Sequence, residues 1–202
     1  MITTIIRKEL SVLFNSPLAW ILLALIQFVL VWAFLGRLDA FLELQPQLLQ
    51  IANPPGITEI IIVPVFAMAA ILLLMITPIL SMRFLAEERR NHTLTLLISA
   101  PIAMTDIVMG KFLGLMIFFC VVIALIVALC LTLLMGGALD FGLLLSNTLG
   151  LFLVAASFSA LGLYISSLTA QPVIAAVGAL GVLLGLWVID LASGESHEWL
   201  RH

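Results

Sequence analysis

The sequence predicts an all-α protein, a polytopic bundle of transmembrane helices preceded by an amphipathic helix, and three observations carry that prediction. First, the 202 residues are 64% hydrophobic and 9% charged, whereas soluble domains carry about 25% charged residues. Second, the 8 basic and 11 acidic residues are clustered, leaving 10–36, 60–82, 112–139 and 141–189 without Asp, Glu, Lys or Arg. A hydrocarbon core ~30 Å thick is crossed by about 20 apolar helical residues. The last window is 49 residues long and holds two spans, so five are expected in a single domain over 1–202. Third, residues 2–15 show a helical rather than an alternating pattern.

On a helical wheel Ile2, Ile6, Leu10 and Leu13 share one face of that first segment, and Thr4, Arg7, Lys8, Ser11 and Asn15 the other. This predicts a helix lying in the membrane interface with its cations toward water and headgroups. Glu9 interrupts the apolar arc. The first span, about 18–36, starts at Asn15-Ser16-Pro17, where a polar residue caps the helix and Pro needs no N–H. At about 28 Å it exceeds the 7–15-residue core of a signal peptide. No small-residue cleavage site follows, so it is read as a retained helix. The second span, about 57–82, contains Pro64 and Pro78, each of which removes a backbone hydrogen bond and predicts a kink. The third, about 105–135, is expected to be capped at Thr105-Asp106 and, at roughly 45 Å, to project beyond the core. The fourth runs over about 141–165. Residues 166–171 turn the chain, and Pro172 opens the fifth span, about 172–190.

The distribution of cations predicts the orientation. With the N-terminus inside, Arg7, Lys8, Arg83, Arg89, Arg90 and Lys111 are cytoplasmic, and only Arg37 and Arg201 are outside, a positive-inside bias. Residues 37–59, a turn at Gly136-Gly137 and the C-terminal tail then face outward.

Several function classes lack their residues. A net charge of −3 with no basic run excludes a nucleic-acid partner. There is no Gly-rich Lys-Ser/Thr loop to bind ATP. His92, His197 and His202 lie outside the spans at no metal-ligand spacing. Ser157 and Ser159 have no intramembrane base and read as small packing residues. Asp140 and Asp190 sit at helix ends, where a boundary role is favoured over a proton relay. Cys120 and Cys130 are ten helical residues, about 15 Å, apart, beyond disulfide reach, and read as small hydrophobes. The neutral polar residues within the spans (Gln27, Thr77, Thr132, Ser146, Asn147, Thr148 and Tyr164) suit an amphiphilic cargo or force transmission better than a hydrated ion path. Gly110-x-x-x-Gly114 and Gly181-x-x-x-Gly185 permit close helix crossing, either within the subunit or in a dimer.

The segment between the second and third spans concentrates the remaining polarity. Arg83, Glu87, Glu88, Arg89, Arg90, Asp106 and Lys111 flank an apolar cluster of Leu94, Leu96, Leu97 and Ile98. Two readings fit: a short helix docking into another protein's groove, or an interfacial helix that snorkels its charges.

Lys8-Glu9-Leu10 with Phe14-Asn15-Ser16-Pro17, then Ala86-Glu87-Glu88-Arg89-Arg90 with Thr93-Leu94, Leu96-Leu97, Ala100-Pro101 and Gly110-Lys111, resemble the ABC-2 (type V exporter-like) permeases, and within them the small gliding-motility (GldF-like) branch. The resemblance implies a non-enzymatic permease subunit of an ATP-driven exporter in a bacterial inner membrane. It also implies a separate cytoplasmic ABC ATPase subunit that binds ATP and Mg, and a second permease subunit, identical or related, within the membrane lipids. No cofactor is implied in this chain. Residues 83–104 would form the coupling segment, with Glu87, Glu88, Arg89, Arg90, Thr93, Leu96 and Leu97 at the ATPase contact. Departures from the family pattern are His92 in place of Gly, Thr95 in place of Glu, and five spans where six are general. The rival readings are a non-transporting membrane anchor or assembly factor that recruits a cytoplasmic partner, and a secondary transporter or channel.

Overall fold

Helices make up every element of the computed structural model, which describes residues 2–48, 56–84, 86, 103–135 and 139–196. Helix α1 (Ile2–Phe14) precedes α2 (Pro17–Leu48). A π-helical turn (Thr58–Ile62) leads into α3 (Val63–Phe84). Helix α4 (Met104–Leu131) ends in a 3₁₀ turn (Thr132–Met135), and α5 (Phe141–Leu168) and α6 (Pro172–Ser196) follow. Five of these helical stretches are long and apolar enough to cross a membrane.

α3 is the central helix, packed against α2, α5 and α6, while α4 packs against α1, α2 and α5. The consecutive spans α3 and α4 touch only marginally; α5 is packed against both. Ile26, Leu30, Ile61, Leu73, Leu80, Phe118, Phe119 and Ile126 form the buried interior. The exterior is equally apolar: Phe28 is 71% exposed and Trp32 74%. Aromatic surface on that scale is untenable in water and is ordinary where hydrocarbon is the solvent.

The helices differ from the sequence expectation in four places. α2 continues to Leu48 instead of stopping near Gly36. Residues 37–48 are mostly good helix formers, and Phe41 is buried in the core, so tertiary contact carries the helix past the apolar window. The second span opens in a π-helical turn just before Pro64, where Pro cannot donate to the preceding turn. Around Pro78 the buried hydroxyls stay within their own helix, Thr77 donating to the Leu73 carbonyl (2.6 Å) and Ser81 to that of Pro78 (3.2 Å). The N-cap of α4 is Ala103, with no side-chain cap, so Thr105 and Asp106 already lie inside the first turn. α5 and α6 also run past their expected ends, to Leu168 and Ser196. Asp140 is a cap, its carboxylate accepting from the N–H groups of Gly142 (2.8 Å) and Leu143 (3.1 Å). Both cysteines are free; Cys130 is buried as expected, but Cys120 is exposed on the outer face of α4.

Candidate functional site

The described residues that flank the functional region named by the sequence lie at the end of the bundle that carries α1. Glu87, Glu88, Arg89, Arg90, Thr93, Leu96 and Leu97 themselves lie outside the described residues. The structure does describe the frame on either side of them, Arg83, Phe84 and Ala86 before and Ala103 onward after.

The frame begins with α1. Its buried stripe is Ile5, Glu9 and Leu13, at i, i+4 and i+8, the spacing that places three residues on one helical face. The stripe packs against α4, so the buried face is offset from the expected arc: Leu13 is buried, Ile6 and Leu10 are half-buried, and Glu9 lies at the centre of the stripe. Thr4, Arg7, Lys8, Ser11 and Asn15 remain exposed, as the wheel predicts.

Glu9 is buried there because its partner is buried too. The Lys111 ammonium donates to Glu9 Oε1 at 3.0 Å, with side chains 0% and 7% exposed respectively. Lys8 Nζ lies 3.7 Å from the same oxygen. The Phe84 ring centroid is 5.9 Å from Lys111 Nζ, within cation–π range. Two charges are thus held out of water by pairing, an arrangement whose desolvation cost is offset only by good geometry. Lys111, counted from sequence among the cytoplasmic-side cations, is wholly enclosed.

Glycines make the approach possible. A Cβ on Gly110 would stand 2.6 Å from Ile5 Cγ2, and one on Gly114 would stand 3.1 Å from Glu9 Cβ. These two glycines therefore face α1 of the same chain. Around Gly181 and Gly185 no atom of the described residues lies within 4 Å of the corresponding position.

A second set of contacts ties the end of α3 to its neighbours. Arg83 donates to the Ser16 hydroxyl at the α1–α2 corner (3.0 Å), and the Ala86 N–H donates to the buried Ser166 hydroxyl of α5 (3.1 Å). The corner is held by Trp20 Nε1–H donating to the Phe14 carbonyl (2.8 Å), and by the Phe14 ring, edge-on to Trp20 and tilted against Phe118. Ser166→Ala would leave a buried N–H without this acceptor, a loss of about 1–3 kcal/mol. A lowered unfolding midpoint in lipid–detergent bicelles, with Ser166→Thr much closer to the wild type, is the expected result.

Elsewhere, an apolar groove of about 530 Å³ opens between α3, α5 and α6, lined by Ile71, Leu74, Phe158, Leu183 and Trp187 among others. Ser157 borders it, its hydroxyl bonded to the Leu153 carbonyl (2.9 Å), and Ser159 bonds likewise to Ala155 (2.6 Å). Both serines are satisfied within their own helix.

Five apolar spans, a hydrocarbon-facing exterior and a polar frame at one end define a multi-pass α-helical membrane protein. A family model described as ABC-2 family transporter protein matches residues 3–194. The chain belongs to that family. No curated protein and no solved structure matches it significantly.

Proposed function

We propose that the protein is the membrane-spanning permease subunit of an ATP-driven ABC-2-type exporter, and that hydrolysis by a separate cytoplasmic ATPase subunit drives substrate translocation. The observation that carries this reading is the family match over residues 3–194. ATP and Mg belong to the partner, since this chain has no phosphate-binding loop. A second permease subunit, identical or related, completes the path, and the small gliding-motility (GldF-like) branch is the nearest assignment. The N-terminus lies in the cytoplasm of a bacterial cell and the spans in its inner membrane. The clustering of cations supports this orientation: Arg83 and Lys111 are joined to the α1 region, whereas Arg37 lies about 30 Å along α2 from Pro17.

In this reading residues 83–104 form the coupling segment. Glu87, Glu88, Arg89 and Arg90 orient it against the ATPase, and Thr93, Leu96 and Leu97 fill the cleft. Reversing Glu87 and Glu88 together to Lys should lower ATPase co-purification from native membranes by about tenfold or more, as expected for like charges set against each other. The spans should remain folded. Undiminished co-purification would count against the assignment. Cargo movement in reconstituted vesicles that depends on ATP hydrolysis separates a transporter from a membrane anchor that only recruits the ATPase.

A further inference from the structure

We infer that Glu9 is a positioning residue whose buried pair with Lys111 locks α1 onto the foot of α4 in a single register, so that the two move as one body. The role of this body in transport rests on the exporter reading above; the lock does not.

The register is visible in two successive contacts. Ile5 meets Gly110 and Glu9 meets Gly114, one helical turn further along both helices. The two helices therefore run side by side in the same direction over that turn. A purely apolar seam of Ile and Leu would hold such helices together without choosing between neighbouring registers, because one aliphatic side chain substitutes for another. A buried ion pair does choose. Sliding α1 by one turn moves it about 5.4 Å and separates Glu9 from Lys111, now in contact at 3.0 Å. Glu9, 7% exposed, is then left with little water and only the longer 3.7 Å contact to Lys8.

The position of the lock gives it a consequence. Phe84, at the end of α3, places its ring 5.9 Å from Lys111 Nζ and 3.8 Å from where a Cβ on Gly114 would stand. Ala103, the N-cap of α4, precedes Lys111 by about two helical turns. The ends of α3 and α4 that flank residues 87–102 thus converge on this pair. Force applied there reaches α1 and α4 together, with no slack between them.

The test uses the full chain in lipid vesicles, with Cys120→Ser and Cys130→Ala as background and Ile5→Cys with Gly110→Cys as an oxidisable pair. The Ile5 Cβ lies 2.9 Å from where a Cβ on residue 110 would stand, about half an ångström inside the usual spacing of disulfide partners. A slight separation of the helices therefore suffices for the bridge. It should form readily with Glu9 present and about tenfold more slowly with Glu9→Gln, because α1 is then spread over several positions. It should recover in the exchanged pair Glu9→Lys with Lys111→Glu. A second measurement needs no cysteine: proteinase K cleavage within residues 3–7 should accelerate about fivefold in Glu9→Gln and return to normal in the exchanged pair, since proteolysis follows the population of the detached helix. Bridging and cleavage at wild-type rates in Glu9→Gln overturn the lock.

Turnover tests whether α1 and α4 stay together through the cycle. With the ATPase that co-purifies with the chain, the 5–110 bridge should leave ATP hydrolysis in vesicles unchanged. Loss of hydrolysis with the ATPase still bound would show that α1 must leave α4 during the cycle, and overturns the inference. If no ATPase accompanies even the wild-type chain, the exporter reading falls while the bridging and cleavage rates still judge the lock.

Discussion

Replacing Lys111 by Met should destabilise the bundle by about 3–5 kcal/mol, the usual cost of stranding one member of a buried ion pair. Glu9 would keep its place at the centre of the α1 stripe, 7% exposed, with the Lys8 ammonium still 3.7 Å away. That longer, partly solvated contact replaces little of the 3.0 Å bond it has lost. The measurement is a steric-trapping or denaturant titration in bicelles. Glu9→Leu combined with Lys111→Met should recover most of the loss, because two apolar side chains of similar volume then meet in place of the pair. A single-variant loss below about 1 kcal/mol would mean that water reaches the pair. The double variant also separates energy from register. If it is stable yet α1 bridges slowly to position 110, the pair is retained for placement and not for stability.

The five crossings were legible because hydropathy is a local property. The spans announce themselves in four charge-free windows, the last long enough for two, and the five helices found fall on them. Their ends were less legible. α2 runs on to Leu48 through a mixed stretch in which Arg37, Asp39 and Glu43 alternate with Leu38, Phe41 and Leu42. Only the burial of Phe41 shows which way that stretch resolves. The N-cap of α4 fell on Ala103, not on the polar pair two residues later, because no side chain caps that end.

The pair at the foot of α4 was illegible for another reason. Glu9 taken alone is a blemish in an amphipathic pattern, and Lys111 taken alone is one more cation near a membrane surface. Their complementarity joins residues 102 positions apart, a separation that no periodicity reports. The signals present were oblique. An acid sat in the middle of an apolar arc, and a lysine sat between two glycines spaced to admit a neighbouring helix. Each anomaly is what the other one needs, but only the tertiary fold puts them side by side.

A different close approach holds the centre of the bundle, and its disruption should be of similar size. Gly162 of α5 faces α3 so closely that an added Cβ would stand 2.7 Å from Ser81 Oγ, 2.9 Å from Ser81 Cβ and 3.5 Å from Thr77 Cγ2. Thr77 and Ser81 are both fully buried and tied to their own backbone, so neither has solvent to swing into. Gly162→Val should therefore push α5 off α3 and cost about 3 kcal/mol, at the upper end of what overpacking takes from a dense core. Adding Ser81→Gly, which removes both of the nearest atoms, should restore about half or more of the loss despite the lower helix propensity of Gly. The control is Gly181→Val, where no atom of the described residues lies within 4 Å. There the folding stability of the isolated subunit should change by less than about 0.5 kcal/mol, as for an exposed site with no packing partner. Equal losses at the two positions would mean that the effect comes from β-branching in the helix and not from the α3–α5 crossing. A loss confined to Gly162 ties α5 to α3 through the face on which residue 162 has no side chain to interpose.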